Sequence, residues 1–74
     1  MKPEYRKYWM GTPPGDKDDF GAPILHEFVD GKTRQGPWAI MSNASHRLYG
    51  VGLGLGKGQR YRKQPDGKWL KVEG

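Results

Sequence analysis

Apolar residues in this chain come in short runs broken by glycine, proline and aspartate, a spacing that predicts short strands rather than long helices. Ile24 to Val29 reads as a first strand. Asp30-Gly31 then reads as a two-residue hairpin turn, because both central positions of a type I′ turn need positive φ. Lys32 to Gln35 would return from that turn, and Gly36-Pro37 would break or bulge the return. Trp38-Ala39-Ile40-Met41 resumes as a short apolar run expected at the centre of the core. Ser42 to Gly50 reads as one short helix, started by Ser42 or Asn43, ended by Gly50 in the left-handed conformation, with Leu48 facing inward. Glycine then falls at every second position from 50 to 58. In extended chain this puts Val51, Leu53, Leu55 and Lys57 on one face and bare backbone on the other, so a ring or strand must pack close. Gln59 to Gln64 reads as a strand with Tyr61 on one face and Arg60 and Arg62 on the other. Pro65-Asp66-Gly67 turns the chain, and Lys68 to Val72 closes a second hairpin. Trp69 and Lys71 share one of its faces, Leu70 and Val72 the other.

The expected fold is mostly β, a small α+β domain: a twisted antiparallel sheet of two hairpins with one short helix and a flexible N-terminal arm. Residues 1–23 would form the arm and linker, and residues 24–74 a single small β-rich domain. The arm carries Tyr5, Arg6, Lys7, Tyr8 and Trp9, residue types enriched at interfaces. Either it docks on a partner or Trp9 folds back over the core. Residues 11–23 have loop composition. Asp16, Asp18 and Asp19 do not make a calcium loop, since Phe20 occupies a ligand position and no glutamate follows at the required distance. They read as a solvated acidic turn.

Length sharpens this picture. At 74 residues the chain holds one domain, and a domain of this size buries only about 60% of its unfolded surface, leaving a thin core. With no cysteine there is no disulfide and no thiolate metal site. No apolar run is long enough to span a membrane, and no signal-peptide hydrophobic region opens the chain. A soluble monomer acting in the cell that makes it is expected.

Charge adds a direction. The formal net charge is +5, and the interval between Asp30 and Asp66 contains no carboxylate while carrying Lys32, Arg34, Arg47, Lys57, Arg60, Arg62 and Lys63. A field of one sign attracts polyanions, whether nucleic acid or an acidic protein face. Lys57, Arg60, Arg62 and Lys63, interleaved with Tyr61 and Trp69, suit a sheet that binds RNA or DNA, with cations on phosphates and rings on bases. The same residues also describe an ordinary basic sheet whose Tyr61 and Trp69 fill the core.

The glycines fail both phosphate-loop patterns: no register supplies the last glycine of G-x-G-x-x-G, and Gly56-Lys57 lacks the upstream glycine and the following Ser or Thr of a Walker loop. The two histidines, His26 and His46, fall short of a zinc set. His46 reads as a surface residue at the helix start. No acid–base pair or nucleophile constellation stands out. A non-enzyme without metal or cofactor is expected.

Three runs carry a resemblance: Phe28-Val29-Asp30-Gly31-Lys32-Thr33, Gly36-Pro37-Trp38-Ala39-Ile40-Met41, and Gly52-Leu53-Gly54 through Gly58-Gln59-Arg60-Tyr61. Together they resemble short proteins encoded by tailed bacteriophages, over roughly residues 24–74. Relatives carry C-x-x-C-H where this chain has Ser42 to His46, so a zinc held there by relatives is not implied here. In size and charge the chain is also similar to a small Xanthomonas-phage class that binds host RNA polymerase and acts in antitermination. That resemblance implies a phage-encoded, non-enzymatic regulator of transcription initiation or termination in the bacterial cytoplasm. Its partner would be host RNA polymerase, with the aromatic arm as the docking element. A small basic nucleic-acid-binding domain without a specific protein partner is the alternative.

Overall fold

The computed structural model describes residues 7–74 and contains four strands and one helix. The strands are β1 (Glu27–Lys32), β2 (Trp38–Met41), β3 (Gly58–Lys63) and β4 (Trp69–Glu73), and the helix is α1 (Asn43–Tyr49). They form one antiparallel sheet in the order β2-β1-β3-β4. The mostly-β sheet of two hairpins with one helix is therefore the fold.

Register sorts the side chains onto two faces, because residues opposite each other share a face. Phe28 lies opposite Tyr61, and Lys63 opposite Trp69. Phe28, Trp69 and Ile24 are buried there, with Trp9, Ile40 and Tyr61 packed around them. The other face carries Val29 opposite Met41, both fully buried, and Glu27 opposite Arg62. Tyr61 and the two arginines thus separate onto opposite faces, as alternation requires.

The turn predicted at Asp30-Gly31 is not there. β1 runs straight through both residues, and the chain reverses over residues 33–37 instead, where Thr33 Oγ1 and N–H both donate to the Pro37 carbonyl. Gly31 is needed for closeness, not for a turn. A Cβ on it would sit 3.0 Å from the Lys57 carbonyl oxygen and 3.3 Å from Met41 Cε. β2 is consequently an edge strand rather than the centre of the core, although Met41 at its end is buried. The second turn is as predicted: Gly67 has φ +86° between β3 and β4.

The alternating glycines do not form a strand. Gly52, Gly54 and Gly56 all take positive φ and fold residues 51–57 into a tight loop, closed by a bridge between Gly54 and Gly58. Gly58 meets the predicted close approach, with its Cβ position 3.1 Å from Gly31 Cα, whereas nothing lies within 4 Å of a Cβ on Gly54 or Gly56. Gly50 ends α1 in extended backbone, φ −80°, not in the left-handed region. Its bare Cα is required because a Cβ would meet the His46 ring.

Residues 7–23 are not a separate arm and linker. Tyr8 bridges Leu70, Lys71 N–H donates to the Lys7 carbonyl at 2.7 Å, and Trp9 N–H donates to the Trp69 carbonyl at 2.9 Å. This short extended segment covers the outer edge of β4, which leaves that edge with a partner. Tyr5 and Arg6 lie outside the described residues.

Candidate interaction surface

Asp18 organises the junction between the loop and the helix. It is buried, and its carboxylate accepts from the Phe20, Ala22 and Ser42 backbone N–H groups at 2.8–2.9 Å. Burial raises its pKa, but the Ser45 hydroxyl and these three amides outweigh burial and bring it down to about 2. Asp19 Oδ2 takes the Ile40 N–H, closing the outer edge of β2. The expected solvated acidic turn is thus a clamp built from carboxylates. Ser42 accepts from the Ser45 N–H at 3.1 Å as the helix cap.

That clamp seats the start of α1. The small Ser45 is the buried residue of the helix, and Leu48, expected inside, is 62% exposed. His46 is half-buried rather than on the surface, with Nε2 2.9 Å from the Gly52 carbonyl oxygen. Phe20 stacks on Tyr49 with ring centres 4.4 Å apart. Beside the stack, a cavity of about 270 Å³ is lined by Thr33, Arg34 and Leu48 among others.

Further apolar groups gather around the same end of the sheet. Thr33 bridges Gly50, Val51 N–H donates to the Lys32 carbonyl, and Lys32 N–H donates to the Lys57 carbonyl. These contacts bring the glycine loop to the helix terminus. Val51 and Leu55 of the glycine loop and Trp38 opposite Lys32 are exposed, as are Phe20, Leu48 and Tyr49. The cations at this end are Lys32, Arg34, Arg47 and Lys57, and none of them forms an ion pair among the described residues. Part of the carboxylate-free interval, Lys32, Arg34, Val51 and Lys57, is thereby brought close to the end of the helix.

The residues predicted to bind nucleic acid do not share a surface. Arg60 and Arg62 stand together, but a ladder of polar partners occupies them. Arg62 Nη2 pairs with Glu27 Oε2 at 2.6 Å, Arg60 Nη1 pairs with Glu73, and Arg60 Nε donates to Asn43 Oδ1 at 3.0 Å. Asn43 donates to the other oxygen of Glu27. This Asn43 bond, with the Arg62 contact and the charge of Arg60, outweighs burial and lowers the Glu27 pKa. Lys63 belongs to the opposite face, its ammonium 5.8 Å from the Trp69 ring centre, and Lys57 sits in the glycine loop.

Of the predicted partner-binding residues, Lys7, Tyr8 and Trp9 lie along β4. Trp9 is committed to the core, edge-on to Phe28 at 5.3 Å and to Tyr61 at 5.4 Å. Its indole N–H donates to the Thr12 carbonyl. Among the described residues no three His, Asp or Glu side chains converge as metal ligands would, and no helix is long and apolar enough to cross a membrane. No family model, curated protein or solved structure matches the chain.

Sequence reasoning missed the Phe20–Leu48–Tyr49 surface. No local signal pointed to it: Leu48 and Tyr49 stand three and four residues after the buried Ser45, a spacing that by itself puts them on the same side of the seven-residue helix.

Proposed function

We propose that this chain is a non-enzymatic binding module that docks on a larger protein. The partner favoured by the phage resemblance is host RNA polymerase, with initiation or termination as the regulated step. One observation carries the reading: Phe20, Leu48 and Tyr49 are exposed together on a hydrogen-bonded scaffold, and Lys32, Arg34, Arg47 and Lys57 form no ion pair among the described residues. Exposed aromatic and aliphatic groups that the fold does not need are anchor material for an interface. The surrounding charge would speed encounter with an acidic face. The nucleic-acid reading has less to draw on, since Tyr61 and Trp69 serve the core and Arg60 and Arg62 are neutralised by Glu27 and Glu73.

The test is binding to purified, nuclease-treated bacterial RNA polymerase, the Xanthomonas enzyme first, followed by a termination assay on a defined template. Wild-type protein is expected to bind, more weakly as salt rises, and to alter readthrough. The double variant Leu48→Asp, Tyr49→Ala should bind at least about tenfold more weakly while keeping its melting temperature. Absence of binding, or binding that requires nucleic acid, overturns the reading.

A further inference from the structure

Leu55 is 98% exposed, yet the loop carrying it is thoroughly built. Gly54 N–H donates to the Gly58 carbonyl at 2.8 Å, and the Lys57 and Gly58 amides both return to the Gly54 carbonyl at 3.0 Å. At its base the loop is held by His46 Nε2 against the Gly52 carbonyl and by Val51 N–H on the Lys32 carbonyl. Three positive-φ glycines, at 52, 54 and 56, make this path accessible to the backbone. A leucine at the tip contributes nothing to the core.

We infer that residues 51–57 form a preorganised finger, and that Leu55 is its anchor, seated on binding in an apolar pocket with acidic groups at its rim on the protein partner. This rests on the docking function proposed above and assigns its specificity to a second place, separate from the Phe20–Tyr49 stack. Charge complementarity argues for the partner's chemistry. Lys57 follows the anchor by two residues, Lys32 lies at the loop base, and the sequence from 31 to 65 offers no carboxylate to such a rim. Preorganisation argues for the anchor. A loop already fixed by its own hydrogen bonds loses little freedom on docking, so a single buried leucine contributes most of its burial to affinity.

The experiment compares wild type, Leu55→Ser, Leu55→Met and the Leu48→Asp, Tyr49→Ala variant. Each is titrated against purified RNA polymerase and against single- and double-stranded oligonucleotides, with melting temperatures alongside. Leu55→Ser should melt within about 3 °C of wild type and lose about tenfold or more in polymerase affinity. Leu55→Met should retain most of it. Equal binding by Leu55→Ser, beside a loss in the Leu48/Tyr49 variant, overturns the finger and leaves the docking function standing. Wild type that binds no polymerase overturns both. A Leu55→Ser loss seen only with oligonucleotides makes the leucine a wedge between bases and overturns the protein pocket.

Discussion

At the scale of single residues, Asp18 shows how much a short polar side chain can organise. Its carboxylate ties its own loop through the Phe20 and Ala22 amides and joins that loop to the start of α1 through the Ser42 amide and the Ser45 hydroxyl. A carboxylate whose pKa falls from 3.8 to about 2 on folding stabilises the ionised native state. The gain is on the order of 2 kcal/mol, fully present above the unfolded pKa and lost as pH falls through the folded one. Asp18→Asn should therefore lower stability by about 2 kcal/mol at pH 7, and flatten the decline that wild type shows between pH 4 and 2. Urea denaturation across that range checks both, and a wild-type slope surviving the substitution would place the titrating group elsewhere. The sequence could not show this. Three aspartates in a Gly-Pro-rich stretch look alike until the chain brings Ser42 and Ser45 to one of them. The role of Gly31 is hidden from the sequence for a related reason. Asp-Gly is a strong turn signal, but the demand on this glycine comes from Lys57 and Met41, distant in sequence and close in space.

At the scale of elements, strands whose pattern depends on local alternation were legible: β3 and β4, their turn at Gly67, and the split of Tyr61 from Arg60 and Arg62. The start of α1 at its Ser42 cap was legible too. What failed were elements whose role depends on what covers them. The segment 7–9 is one. Its aromatic and basic composition fits an interface, and the core of a 74-residue chain fits it equally well, because so small a core recruits any large ring within reach. Trp9 lies half-buried across Phe28 and Tyr61. Trp9→Ala should then cost about 2–3 kcal/mol, lowering the melting temperature by roughly 10 °C or more for a domain of this size. Thermal denaturation followed by circular dichroism reads this directly, and an unchanged melting point would return Trp9 to the role of a docking residue.

At the scale of the whole molecule, the candidate site was half legible. The one-sign interval was visible in the sequence, and the structure gathers part of it at one end. Its apolar centre was not visible, since it exists only where Phe20 crosses to Tyr49. The order β2-β1-β3-β4 has a further consequence, for the speed of folding. β1 meets β2 across residues 33–37 and β3 meets β4 across residues 64–68, so each hairpin closes over a short loop. The seam between β1 and β3 instead joins partners as far apart as Glu27 and Arg62, 35 positions along the chain. Closing a long loop costs entropy before its contacts form. The slow step is then the zipping of two ready-made halves, and Gly31 against Gly58 lies at one end of that zipper. Gly31→Ala should slow refolding in stopped-flow fluorescence more than it speeds unfolding. The opposite partition would move the barrier into the hairpins. A molecule timed this way spends its early life as two loosely coupled pieces, and its refolding clock is set by the joint between them.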